Sequence, residues 1–404
     1  MKNKKILFII EELGDIRTSG AIVNYNLCKL IAQRYSGADI LTLDSISERI
    51  KKDWNKYGNL FTHPKENIKS YQKVLIYFGK VKAVIYTLLG NDFYHFNRIK
   101  NIKKFLKANV NNYNELILMS GGLGFTPHQA IKCLKRKNIQ KITSLYHDPY
   151  PISAYPEPYN SVKRWKEYFK YSNLQKSLDY SHNIVFPSQR LYTWYLNDYK
   201  IDKHKVRIIP HAVEQVTENN FFKQKSDKIC ITHTGTLLKP RNPKLFLEIF
   251  SELNVNNISV NFYGSINSNV YSDIKKFKNA KNIKIVKERI PYQKSLNILE
   301  NSDYLLLIES NGNENPFLPT KFVDYINSGK PIIILSPKKS EVSRLVGENY
   351  PFLTEQDNKL EIRNILSNKI NNISEINKAK DVLKKLKAYF SSDSILESYK
   401  SILK

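Results

Sequence analysis

Phe317-Leu318-Pro319-Thr320-Lys321-Phe322-Val323-Asp324-Tyr325-Ile326-Asn327-Ser328-Gly329-Lys330-Pro331 runs directly into the apolar Ile332-Ile333-Ile334-Leu335. A first helical turn tolerates a missing N–H, so Pro319 predicts a helix start; Gly329 predicts its end, and Pro331 opens a buried strand. On such a helix Lys321 and Asp324 lie three residues apart on one face of the first turn, so an ammonium and a carboxylate share the space above a helix N-terminus. Backbone N–H groups and Lys321 there suit phosphate oxygens, and the carboxylate one turn on suits both hydroxyls of a ribose diol. On an isolated helix the same spacing is an ordinary surface ion pair. The surroundings decide between the two.

Those surroundings alternate strand and helix. In the first part of the chain the β-rich runs are Lys5–Ile10, Asp39–Leu43, Glu115–Met119, Lys141–Tyr146, Asn183–Phe186 and Val206–Ile209, with a helical stripe over Ile22–Arg34. An aperiodic polar stretch, Glu214–Asp227, reads as a linker. Beyond it the predicted strands are Lys228–Thr232, Ile258–Tyr263, Ile283–Val286, Tyr304–Ile308 and Ile332–Leu335, with helices near Pro243–Leu253, Tyr292–Asn301 and Pro319–Asn327. Strands interleaved with helices imply parallel sheets covered on both faces. The reading is α/β: two doubly wound, Rossmann-like domains of about 200 residues each, facing across a cleft, with ligands at strand carboxyl ends. The domains are predicted at 1–213 and 228–385, with a lysine-rich helical segment, Ser374–Lys404, whose last part, 386–404, packs back on the first domain.

Composition narrows the partners. The 404-residue chain carries 64 Lys+Arg against 37 Asp+Glu, a net charge of +27, which favours a negatively charged partner: a phosphorylated substrate, an anionic membrane surface or nucleic acid. Cys28, Cys133 and Cys230 stand far apart in apolar-patterned segments and read as small hydrophobes, neither a disulfide set nor a zinc cluster. The apolar run Ile6–Ile10 is too short for a signal peptide and meets Glu11 and Glu12, so it reads as a first strand. No stretch reaches the ~18 unbroken apolar residues of a membrane span, and the expectation is a cytoplasmic protein. Residues 51–110 carry 13 Lys+Arg against 3 Asp+Glu, interleaved with aromatics from Trp54 to Phe105. That mixture suits a membrane surface, single-stranded nucleic acid, or simply a solvated lysine face over a core helix.

Three more segments stand at strand ends: Ile208-Ile209-Pro210-His211-Ala212-Val213, Thr234-Gly235-Thr236 leading through Arg241-Asn242-Pro243, and Tyr146-His147-Asp148-Pro149. Together with the Pro319–Pro331 run they make the chain resemble a GT-B fold glycosyltransferase, most similar to glycosyltransferase family 4, over nearly its whole length and least over 51–110. The resemblance implies transfer of a sugar from a nucleoside diphosphate sugar, held mainly by the second domain, to an acceptor held by the first, without a metal or other cofactor and usually with retention. It makes Arg241, Lys321 and His147 the candidate catalytic residues. Arg241 and Lys321 would neutralise the leaving diphosphate, and His147 would face the reacting centre. Donor-binding candidates are Asp324 at the ribose, where relatives usually carry glutamate, with Thr236, Gly235, Thr320, Glu314 and Leu318. Ser19, Gly20 and Asp148 are candidates for the acceptor or diphosphate loop, and His211 reads as structural. Ser120-Gly121-Gly122-Leu123-Gly124 is a further glycine loop that lines the acceptor side or simply turns the chain.

The pattern departs from that family in three places. The acid expected eight positions before Asp324 is Pro316, with Glu314 the nearest substitute; the expected arginine after Gly235 is Thr236; and an expected lysine is Asn242. Asn242 and Pro243 also suit plain helix initiation. The expected partners are a nucleotide sugar, a glycan or lipid-linked acceptor in cell-surface glycan assembly, and an anionic membrane surface on the inner face of the plasma membrane, with nucleic acid disfavoured. The rivals are a nucleotide-sugar epimerase on the same scaffold and a non-catalytic polyanion-binding protein.

Overall fold

The computed structural model describes residues 5–13, 18–35, 37–62, 96–120, 125–134, 141–212 and 228–403. Most of the basic, aromatic segment 51–110, the linker 214–227 and the glycines of the 121–124 loop lie outside the described residues. The chain divides into two compact units, Met1–Tyr155 with Tyr159–Ala212 and Ile395–Lys404, and Pro156–Pro158 with Val213–Ser394.

The first unit is built on a seven-stranded parallel sheet in the order β3-β2-β1-β4-β5-β6-β7. Its strands are β1 (Ile6–Ile10), β2 (Ala38–Thr42), β3 (Leu60–Thr62), β4 (Glu115–Met119), β5 (Lys141–Leu145), β6 (Asn183–Phe186) and β7 (Val206–Ile208). Successive side chains of a strand point to opposite faces, and the core divides accordingly. Ile6, Phe8 and Ile10 pack on one side with Leu27, Ile31 and Trp54, while Leu7 and Ile9 pack on the other with Ile102, Leu106 and Leu116. A strand buried on both faces has to be apolar throughout, which is why β1 shows no alternation. The last helix, Ser392–Ile402, belongs to this unit: Ile395, Tyr399 and Ile402 join the Phe8 side of the core, and Lys141 Nζ donates to the Ile402 carbonyl.

The second unit repeats the plan with six parallel strands in the order β10-β9-β8-β11-β13-β15. These are β8 (Ile229–Thr234), β9 (Ile258–Tyr263), β10 (Ile283–Val286), β11 (Tyr304–Ile308), β13 (Ile332–Leu335) and β15 (Leu353–Thr354). Two short strands, β12 (Glu314–Asn315) and β14 (Lys339–Ser340), pair with each other beside it. In both sheets the first strand is flanked by the second on one side and the fourth on the other, so the winding reverses between β1 and β4 and again between β8 and β11. The carboxyl ends at such a reversal open a crevice suited to ligands.

The decisive stretch folds largely as its residues dictate. Thr320–Ser328 is helical, and Gly329 ends it in the left-handed conformation at φ 69°. Pro319 sits one position earlier than expected, as the cap residue in extended conformation and not inside the first turn. The segment expected to be helical over Ser374–Lys404 comprises two helices, Ile373–Tyr389 and Ser392–Ile402, separated at Phe390 and Ser391. Phe390 is buried in the core of the second unit, so the chain passes to the first unit at Ile395.

Candidate active site

The carboxyl ends of β8 and β11 place a cluster of ionisable side chains at the reversal of the second sheet. His233, the fifth residue of β8, is 1% exposed, and its Nδ1 lies 2.9 Å from the Leu306 carbonyl of neighbouring β11. A carbonyl only accepts, so Nδ1 carries the proton. Burial, with the Lys321 and Arg241 cations beside it, holds the imidazole well below the usual histidine range and therefore neutral. Its Nε2 lone pair faces Lys321 Nζ at 3.4 Å.

Lys321 occupies the first turn of the 320–328 helix. Burial, then the neighbouring Arg241, lowers its pKa to about 7, against the opposing pull of Asp324. Gly235 makes room for it. A Cβ there would stand 2.9 Å from Lys321 Nζ, and the backbone adopts φ 109°, which side-chain-bearing residues avoid. Arg241 lies in the turn after β8, partly buried, with its N–H bonded to the Leu238 carbonyl. Its charge acts on His233, Lys321 and Glu309.

Asp324, one turn after Lys321, accepts a hydrogen bond from the Tyr292 hydroxyl at 2.7 Å, and burial raises its pKa to about 7. Glu309, directly after β11, is 1% exposed. Asn315 Nδ2 donates to its Oε1 at 2.6 Å, Ser336 Oγ donates to its Oε2, and burial raises this carboxyl to about 7 as well. The carboxylate thus ties the end of β11 to the end of β13 and to Asn315, whose Oδ1 accepts from the Phe317 N–H. That chain of bonds sets the loop delivering the 320–328 helix. Three ionisable groups poised near neutrality at one sheet reversal are what burial and mutual charge produce at functional sites.

The structure therefore brings together Arg241, Lys321, Asp324 and Gly235. Thr320 opens the helix beside them, partly buried, and Leu318 is buried in the hydrophobic core of the unit. Thr236 is exposed in the turn. Glu314 does not join the cluster in any contact described: it lies on β12 and pairs with Lys339 at 3.1 Å. The residues that sequence reasoning missed are His233, Tyr292, Glu309 and Asn315. Only His233 and Glu309 carried a signal, as polar residues at the ends of apolar strand runs.

The first unit holds its own strand-end cluster. His147, just beyond β5, lies 2.8 Å from Asn24 Oδ1 through Nε2. The Asn24 amide N–H groups point at the Glu12 and Ser120 carbonyls, at 3.2 and 3.5 Å, so Oδ1 accepts and His147 Nε2 donates. Burial and then His211, whose ring centre is 5.2 Å away, keep His147 neutral. Val23, Leu27, Leu145, His147, His211 and Tyr399 line a small cavity here. Asp148 accepts through its backbone carbonyl from the Tyr195 hydroxyl at 2.8 Å. Ser19 and Gly20 open the helix Ser19–Ala32 behind its cap Thr18, whose Oγ1 accepts from the Ala21 N–H and donates to Glu12. Among the described residues, a Cβ on Gly20 would come within 4 Å of Thr18 Oγ1 alone, at 3.8 Å. Among the described residues no group of three or more His, Cys, Asp and Glu is arranged to hold a metal ion.

No protein-family model matches the chain, and no curated protein matches it in sequence. Solved structures do. HepE of Anabaena, in complex with UDP and glucose, matches at TM-score 0.66 and 12% identity, with 99% of each chain covered. TarM of S. aureus, in complex with fondaparinux, alpha-GlcNAc-glycerol and UDP, matches at TM-score 0.67 and 12% identity over 98% of this chain and 99% of that one. A putative UDP-N-acetylglucosamine 2-epimerase of Listeria monocytogenes matches at TM-score 0.63 and 11% identity, over 98% of this chain and 96% of that one. The chain has the two-domain GT-B architecture of these proteins.

Proposed function

We propose that this chain, with its GT-B fold, is a glycosyltransferase that moves a sugar from a nucleoside diphosphate sugar to a lipid-linked or polysaccharide acceptor in cell-surface glycan synthesis. The reading is carried by one observation: Lys321, Arg241 and neutral His233 converge at the β8–β11 reversal of the second sheet, beside a carboxyl held by Tyr292. Breaking a glycosidic bond to a diphosphate leaves negative charge on the departing phosphate oxygen, and two cations fixed beforehand stabilise that charge without reorganisation. The Asp324 carboxylate then takes the ribose hydroxyls. Relatives of the same fold bind UDP, and one was solved with glycan ligands.

In this account the reaction retains configuration and uses neither metal nor organic cofactor, since side-chain cations carry the charge. The leaving phosphate takes the acceptor proton. Asn24 holds His147 in the first unit, on the acceptor side of this account, and Ser19, Gly20 and Asp148 take the acceptor or diphosphate-loop role in it. The protein works in the cytoplasm at the inner face of the plasma membrane, where lipid-linked acceptors are presented. No helix among the described residues is long and apolar enough to cross a membrane.

Isothermal titration with UDP and GDP tests the reading. Saturable binding of one of them, weakened roughly tenfold or more in Lys321→Ala and in Arg241→Ala with melting unchanged, supports it; no binding of either by the wild type contradicts it. The rival epimerase needs an acid and a base flanking a sugar carbon, and Glu309 is tied down by Asn315 and Ser336. Epimerisation of a nucleotide sugar without any acceptor would establish that rival instead.

A further inference from the structure

Trp165 and Tyr168 are 73% and 70% exposed, the most solvent-exposed aromatic side chains among the described residues. They sit in Lys163-Arg164-Trp165-Lys166-Glu167-Tyr168, where a 3-10 turn, Arg164–Glu167, runs into the helix Tyr168–Tyr180 of the first unit. Two of its side chains are tied by contacts that fix the turn. Glu167 is buried, accepting from the Ser153 N–H at 2.8 Å and pairing with Lys170. Arg164 pairs with Asp198 and stacks its guanidinium 4.3 Å from the Tyr171 ring centre. Lys163 and Lys166 are exposed and make no ion pair with any described residue, and the Lys166 ammonium lies 5.4 Å from the Trp165 ring centre.

We propose that this turn docks the protein on an anionic lipid bilayer, with Trp165 and Tyr168 seated among the headgroups and Lys163 and Lys166 against lipid phosphates. Exposed Trp and Tyr with an apolar body and a polar tip are suited to the membrane interface, and adjacent lysines supply attraction to anionic lipid. The chain's net charge of +27 adds a long-range pull of the same sign. Exposure favours a bilayer over single-stranded nucleic acid, which is held in grooves with stacking platforms, whereas Trp165 and Tyr168 stand mostly in solvent. The pinning of Arg164 and Glu167 keeps the aromatics outward before any partner arrives.

The inference is independent of the transferase reading, and so is its test. The full chain is floated with phosphatidylglycerol-containing vesicles and with pure phosphatidylcholine vesicles. Wild type should float with the anionic vesicles and release at high salt. Trp165→Ala with Tyr168→Ala should lower the bound fraction roughly tenfold. Should that variant misfold, Lys163→Glu with Lys166→Glu, which changes only exposed side chains, should give a similar loss. The proposal is overturned if wild type does not float, if it floats equally with neutral vesicles, or if both variants float like wild type. It is also overturned if the variants lose binding to a single-stranded oligonucleotide or heparin while keeping vesicle binding.

Discussion

Lys321 and His233 meet nitrogen to nitrogen, Nζ 3.4 Å from Nε2, with the imidazole proton committed on its far side to the Leu306 carbonyl. The lysine therefore rests against an acceptor and not an acid, with Arg241 as its nearest described cationic influence. With its pKa lowered to about 7, it is mainly the free amine at alkaline pH. A diphosphate favours the ammonium, so binding above that pH should take up a proton, and affinity should fall as pH rises from about 7. Titration of UDP in buffers of different ionisation enthalpy measures the uptake. It should be present in wild type and absent in Lys321→Met; equal values in the two would remove Lys321 from the site.

Gly235→Ala should damage the same pocket without touching a charge. The added Cβ has Lys321 Nζ 2.9 Å away and must adopt φ 109°. Strain of this kind costs about 1–3 kcal/mol. The melting midpoint and UDP affinity should both drop, and the loss of affinity should be smaller in a Lys321→Ala background, where the clash is gone. Equal losses in both backgrounds would show that the lysine does not fill this space.

Tyr292→Phe removes the hydrogen bond to Asp324 while keeping the ring. If Asp324 receives a ribose diol, wild type should bind UDP more tightly than 2′-deoxy-UDP by about tenfold, the value of a hydrogen bond to a charged group. Asp324→Ala should erase the difference and Tyr292→Phe should narrow it. Retained discrimination in Asp324→Ala assigns the ribose elsewhere.

Much of this arrangement can be read from the chain itself, because it depends on local pattern. Unbroken apolar runs such as Tyr304–Ile308 and Ile332–Leu335 are doubly buried strands with the bounds their residues suggest. Lys321, Asp324 and Arg241 follow from a helix start and a strand end. What escapes is register across elements. His233 matters because β8 lies beside β11 and beneath the 320–328 helix, and Tyr292 because a separate helix turns its hydroxyl to Asp324. Glu314 reads as a substitute acid by spacing alone, yet β12 pairing with β14 places it against Lys339. The two-residue strands β12, β14 and β15 hold too few residues to show any period.

Glu309 should leave a mark on stability. Its folded pKa is raised from 4.5 to about 7, so the folded state retains a proton that the unfolded chain has released. The stabilisation is fully present below pH 4.5 and is lost as pH rises toward about 7, an effect on the order of a few kcal/mol at most. Asp324, raised in the same direction, adds to the slope. Denaturant unfolding followed between those limits should show stability falling in wild type and a shallower fall in Glu309→Gln. An unchanged slope would mean that Glu309 is ionised throughout.

The central claim is that cations at the β8–β11 reversal hold a diphosphate for sugar transfer. A crystal structure of the chain with bound UDP tests it most directly. The account predicts phosphate oxygens within hydrogen-bond reach of Lys321 Nζ and the Arg241 guanidinium, with the ribose at Asp324. Nucleotide bound elsewhere, with both side chains free of phosphate, would contradict it.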